Sequence, residues 1–152
     1  MKTKIIFSLL FLSIGLLAQS IDKKAIFLHH STGEGVWNAG VANWISDYNT
    51  SHNTSYEISE QNYPTHSYGW QNYPYDYWNL WINNACNTND PCLGDFTSQY
   101  KLIIWKHCFP GANINADTGS PSVSSETKSL ENYKVQYRAL RTLMDSYPNN
   151  KF

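Results

Sequence analysis

Ser31 has the setting most suited to chemistry. It stands in His29-His30-Ser31-Thr32-Gly33-Glu34-Gly35, between the apolar run Ala25-Ile26-Phe27-Leu28 and a stretch with helical periodicity. A hydroxyl in a tight turn at the end of a buried strand lies beside free backbone N–H groups and the positive end of a helix dipole. That setting suits a nucleophile whose attack creates an oxyanion. Gly33 and Gly35 would let a substrate approach the backbone closely. The simpler alternative is that Ser31 or Thr32 only caps the helix that follows.

Three cysteines, Cys86, Cys92 and Cys108, are the second chemical group. Cys86 and Cys92 flank Asn87-Thr88-Asn89-Asp90-Pro91, a strong turn sequence. A bridge between them would close a short loop and contribute roughly 2 kcal/mol through the unfolded chain; two free thiols are the alternative. Cys108 follows an apolar strand and reads as a small buried hydrophobe.

The elements that must position these residues follow from periodicity. The run at 25–28 and Leu102-Ile103-Ile104-Trp105 read as strands buried on both faces, the parallel-sheet type. A weaker strand is expected at 56–59. Trp37, Val41, Trp44, Ile45 and Tyr48 recur at helical spacing, which predicts one helix over 36–48. A short helix is expected to begin near Tyr77. The clearest helix carries the stripe Leu130, Tyr133, Tyr137, Leu140, Met144 and Tyr147, with Ser124 or Ser125 as its cap and Pro148 as its stop. Beyond it, Asn149-Asn150-Lys151-Phe152 looks like the approach to a further strand.

Strand–helix alternation with apolar strands predicts an α/β fold, a doubly wound parallel sheet. Ligands of such sheets sit at the carboxyl ends of the strands. His29, His30 and Ser31 leave the first strand there, His66 and Gly69 follow the second, and His107, Cys108 and Asn113 follow the third.

With 41% hydrophobic and 15% charged residues, the 152-residue chain is one globular domain rather than a disordered one. A net charge of −1 gives no footprint for nucleic acid. Lys2 and Lys4, the apolar run 5–17 and Ala18-Gln19-Ser20 have the layout of an export signal, with cleavage expected after Ala18. The alternative is an uncleaved anchor or a buried helix. The expectation is a leader at 1–18 and a domain at 19–152, secreted or periplasmic, with no membrane span after cleavage. Sequence gives no oligomeric state and implies no cofactor.

FLHHSTGEGVW, NYPYDYWNLWINNA, IIWKHCFPGANI and TKSLENYKVQYRAL resemble a branch of bacterial SGNH/GDSL-type hydrolases, over essentially the whole of 19–152. The resemblance implies a flavodoxin-like fold with Ser31 as nucleophile. It also implies an oxyanion hole made of the Ser31 N–H, the Gly69 N–H and the Asn113 amide. Ordinary loop roles for Gly69 and Asn113 are the alternatives. The pattern departs from the family in three places. His29-His30 replaces the usual Gly-Asp, Asn113-Ile114 replaces Asn-Asp, and no Asp-x-x-His supplies a general base. Family members are also longer, so the chain resembles the N-terminal part of such a domain, C-terminally incomplete.

The implied activity is hydrolysis of a small-molecule or glycan ester, poor or absent in this chain without the missing base. His29, two residues from Ser31, and His107, if the first and third strands are neighbours, are the candidate substitute bases. A zinc site of His29, His30, His66 and His107 matches no familiar ligand spacing, and no metal is expected. The competing function is a non-catalytic sugar-binding protein with Trp70, Tyr73, Tyr75, Tyr77, Trp78 and Trp81 as a stacking surface.

Overall fold

The computed structural model describes residues 21–65 and 69–152; the expected leader at 1–18 and His66 lie outside them. The chain is α/β, built on a small parallel sheet flanked by helices. Strands β1 (Lys24–His29), β2 (Glu57–Asn62) and β3 (Leu102–Trp105) lie in the order β2-β1-β3. Among the described residues, the first strand in sequence is therefore the central one. Phe27 stands opposite Glu60 and Ile104, and His29 opposite Asn62.

Alternation sorts the side chains of β1 onto two unlike faces. Ile26 and Leu28 join Ile103 in the main core, with Tyr63, Tyr77, Leu80, Trp81, Leu93, Phe96 and Leu140. Burial of each such side chain is worth about 1.5–3 kcal/mol. This face is covered by α3 (Pro74–Trp78), which runs on into a π turn (Asn79–Asn83), by α4 (Leu93–Thr97) and by α5 (Leu130–Asp145). The opposite face is thinner. It carries α1 (Thr32–Asn38), whose Gly33 packs on His29, and α2 (Val41–His52). On β3, Ile103 is fully buried while Leu102 and Ile104 are each 37% exposed, so that strand is buried on one face and not on both.

The single helix expected over 36–48 is two helices. Gly40 turns with φ 109° between α1 and α2, and α2 has no buried residue; Trp44 is 63% exposed. Its aromatics stack on one another instead, Trp44 on Tyr48 and Tyr48 on His52. The last helix starts later than expected. Its cap is Ser129, whose hydroxyl accepts the Asn132 N–H at 3.3 Å, because Ser124 and Ser125 belong to the loop that Asn132 and Gln136 tie down. Leu130 and Tyr137 of its stripe are exposed; Tyr133 and Leu140 are buried.

Cys86 and Cys92 form a disulfide with Cα atoms 4.9 Å apart, closing the turn that leads into α4. Lys151 makes a single parallel bridge to Leu102 on the free side of β3, with the Ile103 N–H donating to the Lys151 carbonyl at 2.9 Å. Among the described residues, no helix is long and apolar enough to cross a membrane.

Candidate functional site

The carboxyl edge of the sheet gathers three loops. The first is the turn from β1 into α1, and its geometry is unusual. Ser31 has φ 49° and ψ −114°, a conformation that costs a residue with a Cβ about 1–3 kcal/mol. The Ser31 side chain makes no capping hydrogen bond to α1, so the capping role is not what holds it there. The turn is tight enough that α1 crosses directly over β1. A Cβ placed on Gly33 would lie 2.3 Å from the Cβ of His29. Only glycine fits at that crossing. A strained strand-to-helix turn with a serine at its apex is the way α/β hydrolases lift a nucleophile above a sheet edge.

Gly33→Ala is accordingly expected to destabilise the fold by about 2–3 kcal/mol, because two backbone-borne carbons must separate. Urea denaturation of the variant measures it; a midpoint equal to the parent's would mean that the crossing is loose.

Polar contacts from the other two strands hold the turn. His30 donates from Nε2 to the Pro64 carbonyl at 2.5 Å, just past β2. Lys106, just past β3, donates from Nζ to the His30 carbonyl and to the Thr32 hydroxyl, both at 3.0 Å. The lysine thus grips the residues on either side of Ser31. Nothing in the local sequence marks it, since the contact depends on β3 lying next to β1.

Ser31 lines a cleft of about 230 Å³ with His29, Glu34, Glu60, Gln61 and Asn62. His29 Nε2 is hydrogen-bonded to the Glu60 carboxylate, and its Nδ1 is buried without a partner. Two further clefts open along the same edge. One, about 430 Å³, is lined by His30, Trp70, Asn72, Cys108, Phe109 and Asn113 among others. The other, about 530 Å³, is lined by Gly69, Tyr73, Tyr75, Asn113, Glu126 and Lys128 among others. Gly69 and Asn113 therefore meet in a cleft that Ser31 does not line. The three-part oxyanion hole is not assembled around one cavity, since Gly69 lies with Glu126, Thr127 and Lys128, the residues just before α5. Cys108 is half-buried on the rim of the middle cleft rather than a core residue.

Asp76 organises that loop. Its carboxylate accepts the N–H groups of Gln71 at 2.7 Å, Asn72 at 2.6 Å and Tyr73 at 3.4 Å. Burial nevertheless dominates and raises its pKa to about 6. His107 is enclosed by the rings of Tyr77, Trp105 and Tyr137, with centroids 5.0–5.4 Å away. Its nitrogens are shut off from solvent, and the Asn72 backbone, whose carbonyl also accepts the Cys108 N–H at 2.7 Å, is the polar group beside them. Burial lowers its pKa to about 4, against a hydrogen bond to the Asn72 backbone that raises it and with the Lys106 charge adding to the fall. An imidazole so enclosed packs as a core ring, and His107 is not among the residues that line the Ser31 cleft.

His29 is engaged by Glu60, His30 by Pro64 and His107 by aromatic rings, so these three histidines do not converge on a metal position. The cluster Cys86, Cys92 and Asp95 offers no thiolate, since its sulfurs are bonded to each other. The expected aromatic stacking surface is corrected as well. Tyr73, Tyr75, Tyr77, Trp78 and Trp81 are buried and pack in the two aromatic clusters of the core, because their large apolar rings supply much of its area, while Trp70 is half-buried and lines the cleft of about 430 Å³.

Comparison with family models, with curated proteins and with solved structures found no match to the chain.

Proposed function

We propose that the protein is a serine ester hydrolase of the SGNH type, exported, with Ser31 as its nucleophile and a small-molecule or glycan ester as its substrate. The observation that carries this reading is the backbone of Ser31, φ 49° and ψ −114°, at the carboxyl edge of a parallel sheet. A capping serine needs no such strain, whereas a nucleophile at the apex of a turn does. The Ser31 N–H lies in the same turn to meet an oxyanion.

A fluorophosphonate tests the reading directly. Ser31 is expected to be the one residue phosphonylated, as located by peptide mapping of the labelled chain. Labelling elsewhere, or none after prolonged exposure, removes Ser31 as a nucleophile. The second reading, a sugar-binding protein without catalysis, is favoured by one feature, the polar cleft of about 530 Å³ where Tyr73 and Tyr75 meet Asn113, Asn115, Glu126 and Lys128. Retention on a glycan column by a chain that never labels would support it.

A further inference from the structure

We infer that Glu60 is the proton acceptor for Ser31 and that His29 is the positioning residue that holds its carboxylate; the inference rests on the hydrolase reading above. Parallel pairing of β1 with β2 puts Phe27 opposite Glu60, and alternation places His29 on the same face. The His29 ring and the Glu60 carboxylate meet there through Nε2 and Oε2. An ionised carboxylate only accepts hydrogen bonds, so Nε2 must carry the proton. The one lone pair of the neutral ring is then on Nδ1. That atom is buried, has no partner and is shut in by α1, since a Cβ on Gly33 would lie 3.1 Å from it. His29 is itself only 3% exposed. It is therefore a donor to Glu60 and not a base for Ser31, which corrects the role expected from its spacing.

Glu60 differs on each count. It is 37% exposed, it lines the cleft with Ser31, and its second oxygen, Oε1, has no hydrogen-bond partner among the described residues. Lys106 as an ammonium can only donate, and His107 is enclosed. In the acylation step the Ser31 Oγ attacks the ester carbonyl carbon, its proton passes to Glu60 Oε1, and the carbonyl π pair moves onto oxygen as the oxyanion. Collapse of the oxyanion breaks the bond to the alcohol, which leaves with the proton from Glu60. Water repeats the sequence on the acyl-serine. It gives its proton to Glu60, and the acid departs as Ser31 recovers that proton. With Glu34 also on the wall, the cleft favours neutral or cationic esters over anionic ones.

The test measures fluorophosphonate labelling of Ser31 and turnover of a chromogenic acetyl ester in the full chain, in Glu60→Gln and Glu60→Ala and, as a control, in Glu57→Gln, a surface carboxylate paired with Lys24 at the far end of β2 and outside the cleft. General-base assistance is worth ~10²–10⁴ in rate, so both Glu60 variants are expected to be slower by that factor, with Glu57→Gln near the parent. Added formate is expected to restore part of the rate in Glu60→Ala alone, a rescue that a merely structural carboxylate would not show. Thermal melts confirm that the variants are folded. Equal labelling rates in parent and folded Glu60→Gln, or a slowed Glu60→Ala that formate leaves unmoved, would overturn the assignment while Ser31 stands as nucleophile. A parent chain that never labels at Ser31 overturns both.

Discussion

Ser31→Ala is expected to lower ester hydrolysis by at least ~10³-fold and to leave the melting temperature almost unchanged, while Ser31→Gly is equally inactive and more stable by about 1 kcal/mol. Loss of the nucleophile leaves only what binding and oxyanion stabilisation supply, a fall of several orders of magnitude in rate. The stability contrast comes from the backbone. Ser31 sits at φ 49°, where any Cβ is strained. Alanine keeps that Cβ and keeps the strain. Glycine removes it, at the cost of a more flexible unfolded chain. No cap is lost in either variant, because the Ser31 hydroxyl makes no hydrogen bond to α1. Turnover in Ser31→Ala equal to the parent's would eliminate Ser31. Equal stability of the alanine and glycine variants would show that the turn stores no strain.

The second large effect is hidden in the parent and appears on mutation. His107 has its pKa lowered by burial from 6.5 to about 4. Between these values the unfolded chain binds the extra proton, so the contribution is fully present above about pH 6.5 and is lost as pH falls toward 4. Its size is roughly 3 kcal/mol, at 1.36 kcal/mol for each unit. Asp76 has the opposite sign. Burial raises its pKa from 3.8 to about 6, so the folded chain binds the extra proton. Its contribution is present below about pH 4 and is lost as pH rises through 6, again by roughly 3 kcal/mol. The two nearly cancel across pH 4–6.

His107→Phe, which keeps a ring within the Tyr77–Trp105–Tyr137 enclosure, should therefore be most stable near pH 4 and weaken toward pH 7. Asp76→Asn should do the reverse. Urea midpoints at pH 4, 5, 6 and 7 measure both slopes. Parallel profiles for parent and variants would show that these two groups do not set the pH response.

What the sequence made legible was the sheet. Ile26-Phe27-Leu28 and Leu102-Ile103-Ile104-Trp105 are continuous apolar runs, and they form parallel neighbours at the centre of the fold. The helices were less legible. Trp37, Val41 and Trp44 keep a helical period across Gly40, yet a glycine at φ 109° breaks the helix, and the period does not guarantee burial. α4 is only five residues long and too short for any period to show. At the candidate site, the turn from β1 into α1 that carries Ser31 was readable. The His29–Glu60 pair was not, because its partners are separated by 31 residues and meet only through the register of two parallel strands. Lys106 was hidden for the same reason, 76 residues from the carbonyl it holds.

The placement of the earliest strand at the middle of the sheet also governs how the chain must come together in time. β1 leaves the ribosome first, but one of its two neighbours, β3, is made ~80 residues later, on the order of 4–15 s at typical rates of synthesis. During that interval Ile26, Phe27 and Leu28 can gain β2 alone, and an unpaired apolar edge faces the cellular milieu. The pairing that completes the sheet closes a long loop and is intrinsically slow. Yield in cells is therefore governed by the wait for β3 as much as by the final stability. Slowing translation between α2 and β3 should favour aggregation of the nascent chain, and a chaperone that shields β1 during the wait should relieve it.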